Sequence, residues 1–257
     1  MACKADYIAV IDSGVGGISV LRELVRLMPN EKFLYFGDSA NAPYGTKTAE
    51  EVQTMTKATV KRLMARGIKA LVVACNTATA TAIELLRQTY PDFIIVGIEP
   101  ALKPAVTQYP QGTVGVMATP VTLQGEKLKR LIAQYPHPDV HLIPAPGLVE
   151  LVEAGHTNSP KMDAFLQELL GPYAGKLDAL VLGCTHYPFA AAAIRRVLGD
   201  KTALIDGGVG TAQQTRRRLE AAGLLSDGPG TVVFENSLDD PHIFELCKSL
   251  LAEEYDG

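Results

Sequence analysis

The stretch Leu71-Val72-Val73-Ala74-Cys75-Asn76-Thr77-Ala78 decides the reading of the fold, together with its echo Leu180-Val181-Leu182-Gly183-Cys184-Thr185-His186-Tyr187. In each, a short apolar run ends in cysteine. A small polar residue follows, then a helix-forming stretch, Thr79 to Gln88 in the first and Phe189 to Leu198 in the second. Apolar strand, tight turn and helix place a side chain at the carboxyl edge of a parallel sheet, where α/β proteins bind ligands. Two cysteines in matching frames suggest one site built twice and shared.

Working outward, apolar runs rich in β-branched residues recur at 7–11, 33–36, 70–74, 93–98, 114–118, 140–143, 179–182 and 203–205. Helical patterns lie between them, at 18–28, 48–66, 79–88, 123–134, 161–170 and 189–198. The alternation predicts βαβ units and mostly parallel sheets. Thr48, with Glu51 three residues on, reads as a capping box. The chain also repeats itself. Ile8-Ala9-Val10-Ile11-Asp12-Ser13 lies on Val114-Gly115-Val116-Met117-Ala118-Thr119 at an offset of 106, and the cysteine segments are offset by 109. Two related α/β halves are therefore expected, joined by a tight hinge near Glu99-Pro100. The segment from Gly207 has no counterpart between the halves: a helix at 211–222, a strand at 231–234 and a helix from Pro241 to Glu253. It is expected to pack back on the first half, giving one domain of residues 1–98 plus 208–257 and a second of 99–207.

Composition excludes several functions. The chain has 257 residues, 47% of them hydrophobic, enough for a sizeable core, and a net charge of −4 gives no basic field for nucleic acid. Trp is absent. No apolar run approaches the ~18 residues of a bilayer span, and the N-terminal apolar run is too short for a signal segment. Four cysteines do not make a disulfide framework in a chain this long. A cytoplasmic protein with reduced thiols is expected.

Cys75 and Cys184 carry the chemistry of this reading. A free cysteine is often only a small buried hydrophobe. Here each closes a strand ahead of a helix, where unpaired amides and the helix dipole are expected to favour a thiolate. Two thiols across a cleft can remove a proton from one face of a carbon acid and return one to the other. Cys3 and Cys247 lack that context. The turn Asp12-Ser13-Gly14-Val15-Gly16-Gly17 resembles a dinucleotide loop, with Asp38 at a ribose-like distance. Ser19 stands where the third glycine belongs, however, and Asp12 would repel a pyrophosphate. Asp12 instead suits an orienting or proton-relay role, with Ser13 and nearby amides holding a small ligand. His186, two residues after Cys184, is a candidate proton-transfer partner. Zinc on Cys75, Cys184 and His186 is disfavoured, since no Cys-x-x-Cys or close His pair is present. Asn76, Thr77, Thr119, Thr122 and Thr185 are short polar residues at strand ends, fit for capping or for binding a carboxylate with helix amides. Pro43-Tyr44-Gly45 reads as a turn, and Arg216-Arg217-Arg218 as a solvated helix face.

In these same residues the sequence resembles the glutamate racemases of the aspartate/glutamate racemase superfamily. The matching motifs are Asp12-Ser13-Gly14-Val15-Gly16-Gly17, Gly37-Asp38 with Pro43-Tyr44-Gly45, Ala74-Cys75-Asn76-Thr77-Ala78 and Leu182-Gly183-Cys184-Thr185-His186-Tyr187-Pro188. The resemblance implies two similar three-layer α/β domains, related by a pseudo-twofold axis, with the active site in the cleft between them. It implies cofactor-independent conversion of L-glutamate to D-glutamate for peptidoglycan, and a homodimer. It implies that Cys75 takes the α-proton of D-glutamate and Cys184 that of L-glutamate, with Asp12 assisting the first, His186 the second, and Glu153 near the latter. Asp12-Ser13, Tyr44-Gly45, Asn76-Thr77 and Thr185-His186 would bind substrate. With no pyridoxal phosphate expected, the developing carbanion would rely on a closed, dry site. Three readings stand beside it: aspartate racemisation by the same chemistry, a binding module for a small acidic ligand, and a thiol–disulfide enzyme, which would need the sulfurs within bonding distance.

Overall fold

Strands covered on both faces lose the usual alternation of polar and apolar residues. That is the state of the apolar runs in the computed structural model, which describes residues 3–137 and 139–252. In chain order the elements are β1 (Tyr7–Asp12), α1 (Ile18–Leu27), β2 (Lys32–Gly37), α2 (Ala49–Met64), β3 (Ile68–Val73), α3 (Asn76–Thr89), β4 (Ile94–Gly97) and α4 (Leu102–Gln108). Then come β5 (Val114–Ala118), α5 (Pro120–Gln124), α6 (Glu126–Gln134), β6 (Val140–Pro144), α7 (Leu148–Glu153), α8 (Pro160–Leu170), β7 (Ala179–Leu182) and α9 (Ala191–Leu198). The chain closes with β8 (Ala203–Asp206), α10 (Gly208–Ala221), β9 (Thr231–Asn236) and α11 (Pro241–Ala252). Glu253, the expected end of the last helix, lies outside the described residues.

Two wholly parallel sheets form, ordered β4-β3-β1-β2-β9 and β8-β7-β5-β6. The second order is the first with its strands replaced by their repeat partners. The register repeats too: Ile11 faces Val73 in the first sheet, and Met117 faces Leu182 in the second. Val73 faces Gly97 and Leu182 faces Asp206, so the offset of 109 extends to the neighbouring strands. Alternate residues feed separate cores. Ile8 and Val10 pack with Ile18, Leu21 and Leu24, while Ala9 and Ile11 pack with Val52, Val60 and Leu63. In the second sheet Val114 and Val116 pack with Leu102, Ala105 and Leu128, while Met117 joins Leu148, Leu166 and Ile194. Each sheet is thus sandwiched between helices.

The halves differ at one edge. β9 pairs with β2 from Lys32↔Thr231 to Gly37↔Asn236, so the C-terminal segment finishes the first sheet. A buried ion pair fastens it. Lys69 Nζ lies 2.5 Å from Glu31 Oε2 and donates to the carbonyls of Lys4 and Leu224, and Glu31 Oε1 accepts from the Ser226 amide. Every partner is needed, because a buried charge left unpaired is costly. At the junction of the halves, a Cβ on Gly207 would overlap the Glu99 carbonyl, so the two chain crossings run side by side.

The capping box forms as read: Thr48 Oγ1 accepts from the Glu51 amide, and Glu51 accepts from the Thr48 amide at 2.8 Å. Three readings of helices need correction. The run 123–134 is two helices, because Gly125 is extended between them (φ −66°, ψ 141°). The stretch after Cys184 first makes a 3-10 turn, Tyr187–Ala190, before α9. Helices α4 and α7, seven and six residues long, carried too little periodicity to be read.

Candidate active site

Parallel sheets collect the carboxyl ends of their strands at one edge, and there the repeat brings its polar residues together. Ala74 and Gly183 continue the ladders, donating to Ile11 and Met117 respectively, both at 2.8 Å. The residue that follows in each segment, just past the strand, is a cysteine, and both thiols are buried and free.

Cys75 caps α3. Its sulfur accepts from the Ala78 amide at 3.4 Å, and its thiol reaches Ser13 Oγ at 3.8 Å. Burial pushes the thiol up to about 12, the Asp12 charge and the Cys184 sulfur adding to it, against the opposing pull of Ala78 and Ser13. This corrects the expectation that the helix terminus sets the balance: the amide acts as expected, but desolvation outweighs it. Asp12, at the end of β1, accepts from the Gly14 amide at 3.1 Å and from the Thr185 hydroxyl at 3.0 Å. Burial raises its pKa despite those bonds and the nearby His186.

Cys184 has different company. Its sulfur lies 3.7 Å from His186 Nδ1, and His186 Nε2 lies 2.6 Å from Glu153 Oε1. Burial acts to lower the His186 pKa, but the Cys184 sulfur and the Glu153 carboxylate together hold it well above the ordinary imidazole value. Glu153, the last residue of α7, also accepts from the Val15 amide at 2.8 Å. Burial works against its charge, yet His186 and Val15 leave its pKa lowered.

The glycine-rich turn is explained by this packing. A Cβ on Gly14 would overlap the Glu153 carboxylate, and one on Gly16 would overlap the His186 ring. The glycines are small so that the second half can approach. The amides of Gly14 and Val15 are directed to Asp12 and Glu153, not to a phosphate. On the far side, Thr77 from α3 meets Thr119 and Thr122 from the second half at 3.2 and 3.4 Å, and Thr119 donates to Thr122 at 3.0 Å. Gly45 lies against the Thr119 side chain. Tyr44 is buried, its hydroxyl donating to Asp38 at 2.6 Å. The Asn76 Oδ1 is buried and accepts no bond from the described residues.

Ser13, Asp12, Tyr44, Gly45, Cys75, Asn76 and Thr77 thus come from the first half, and Thr119, Thr122, Glu153, Cys184, Thr185 and His186 from the second. Two residues were missed as parts of this cluster: Tyr35 holds the Gly14 carbonyl at 2.6 Å, and Ser19 holds the Thr185 carbonyl at 2.9 Å. Neither contact has a sequence pattern. Asp38, quoted in the racemase-like motif without a role of its own there, anchors Tyr44.

The sequence profile described as Asp/Glu/Hydantoin racemase matches residues 8–215. The chain belongs to that family. Within the racemase family, the glutamate racemase of Clostridium novyi is 47% identical over 249 residues, covering 95% of this chain and 96% of that one. The glutamate racemase of Thermus thermophilus, solved in complex with beta-chloro-D-alanine, is 36% identical, with a TM-score of 0.82 over 99% of this chain and 96% of that one. That of Francisella tularensis, solved with D-glutamate, is 28% identical, with a TM-score of 0.84 over 98% and 95% of the two chains. Among the described residues no helix is long and apolar enough to cross a membrane.

Proposed function

We propose that this chain interconverts L- and D-glutamate through two thiols acting on opposite faces of the α-carbon. The activity rests on family membership and on the glutamate racemases that match over most of the chain. The roles rest on one observation: two free, buried cysteines end matching strands of the two halves, and each has its own acid–base partner. For L-glutamate, the Cys184 thiolate takes the α-proton while the Cys75 thiol protonates the opposite face. The reverse reaction exchanges the roles. Asp12 assists Cys75, and His186, held by Glu153, assists Cys184.

The α-proton is weakly acidic, so the site must favour the carbanion and exclude water. The hydroxyls of Thr77, Thr119 and Thr122, with the N-terminal amides of α3, suit a substrate carboxylate. The unpaired Asn76 Oδ1 suits the substrate ammonium. Ser13, Tyr44, Gly45 and Thr185 complete the binding set. Sheet membership supports a division into residues 1–98 plus 208–257 and 99–207, with closure between them. The product would supply peptidoglycan synthesis in the cytoplasm, and a homodimer is expected by light scattering. The test is purified protein and L-glutamate in heavy water without added cofactor. D-glutamate carrying deuterium at the α-carbon supports the reading; no change in optical rotation refutes it. Parallel assays with aspartate set the specificity.

A further inference from the structure

A two-thiol racemase ends each one-way turnover in the wrong protonation state. After L-glutamate is converted, Cys184 holds an extra proton and Cys75 lacks one. Before the next L-glutamate, a proton must leave the first sulfur and another must reach the second. The surroundings of the two sulfurs differ in the means to do this.

Cys75 is closed in. Beside it is a cavity of only about 10 Å³, lined by Ile11, Asp12, Asp38, Tyr44, Thr56 and Ala78 among others. Its polar contacts, Ser13 and the Ala78 amide, lead nowhere exposed. Cys184 is equally buried, but its partners form a line: Cys184 Sγ, His186 Nδ1, His186 Nε2 and Glu153 Oε1, with steps of 3.7 Å to Nδ1 and 2.6 Å from Nε2. The His186 side chain is 2% exposed and that of Glu153 is 19%. Glu153 opens onto a groove of about 650 Å³ between α7 and the segment leading into α11, where Glu150, Asp240 and His242 also line the wall.

We infer that Glu153 is the proton port of the enzyme: it connects Cys184, through His186, to water in the groove between α7 and α11, while Cys75 has no such connection among the described residues. The inference rests on the racemase reading above. In the outward passage the Cys184 S–H bond breaks as a bond to His186 Nδ1 forms. The Nε2–H bond breaks as the proton passes to the Glu153 carboxylate, which then yields it to water. The sulfur is left as thiolate and the carboxylate is restored. The ring passes through the imidazolium that Cys184 and Glu153 favour and is left with its proton on Nδ1. It regains the Nε2–H form when Nε2 takes a proton from water through Glu153 and Nδ1 releases one to the emptied substrate space. The same steps in reverse load a proton on the sulfur when D-glutamate is the substrate. Cys75 exchanges its proton only through the substrate space, once product has left.

Glu153→Gln and Glu153→Ala test this. Gln keeps the shape and the acceptor for His186 but carries no proton. Resetting follows product release, so its loss lowers kcat and spares kcat/KM, whereas a misplaced His186 would weaken the transition state and lower both alike. In Glu153→Gln, which still holds His186, the expected fall in kcat is about tenfold, while kcat/KM falls much less. Glu153→Ala also frees His186, so both parameters should fall there. Added formate should restore activity in Glu153→Ala, where it can occupy the space left beside His186, but not in Glu153→Gln, where the amide fills it. Equal falls in kcat and kcat/KM in Glu153→Gln, or no rescue of the alanine variant, would overturn the inference. An inactive wild-type protein would instead overturn the racemase reading itself.

Discussion

The Cys75 side and the Cys184 side share one backbone plan and differ in everything attached to it. Both thiols follow strands in the same register, and both neighbouring amides donate to equivalent carbonyls. Yet Cys75 faces a buried carboxylate, Asp12, whereas Cys184 faces an imidazole that is itself held by a carboxylate. The difference teaches that a duplicated frame fixes where the bases stand, and the local partners fix how each gains and loses its proton. A symmetric reaction is run here by an asymmetric pair.

The comparison breaks first at the sulfurs. Cys75→Ala and Cys184→Ala should each abolish racemisation in both directions, a loss of at least about 10³-fold if each acts as a general acid or base. Polarimetry with either enantiomer checks it, and one surviving variant would end the two-base assignment. The partners come next. Asp12→Asn and His186→Asn should each cost up to about 10²-fold in kcat, unequally in the two directions. Enantiomers have equal free energy, so kcat/KM must stay matched in both directions, and the asymmetry has to surface in kcat. Identical kcat ratios in the two variants would erase the distinction between the sides.

How much of this was legible follows from what each residue does. The strands and both cysteines could be read because two-sided burial writes continuous apolar runs, and the repeat writes them twice. Glu153 left no pattern of its own, since α7 is six residues long and the carboxylate matters only through a histidine thirty-three positions away. It came from family resemblance alone. The pKa of Cys75 was misjudged because a helix terminus is visible in sequence, whereas complete desolvation is a property of the packed molecule.

Two smaller effects sharpen the comparison. Gly14→Ala would press a methyl group into the Glu153 carboxylate, so about 1–3 kcal/mol of stability should be lost, as in other overpacked sites. Chemical denaturation measures that, and an unchanged midpoint would mean the turn yields freely. Asp12→Asn should instead stabilise the fold at neutral pH by about 1 kcal/mol, because it removes a buried charge. The sign follows from the raised pKa. The folded state keeps the Asp12 proton where the unfolded state has released it, so stability is full below the ordinary carboxylate value of 3.8 and declines as pH rises through the folded one. The wild-type and variant melting temperatures should therefore converge in acid. A gap that widens in acid would contradict the burial argument.

The edge strand β9 has a consequence for how the molecule is made. It lies against β2, yet some 200 residues of chain separate the two. As the polypeptide emerges from the ribosome, β2 waits with an open row of amides and carbonyls, the kind of surface on which stray chains pair. The sheet begun first is therefore finished last, and a chain stalled short of Thr231 would leave the apolar strand β2 at the border in place of the more exposed β9.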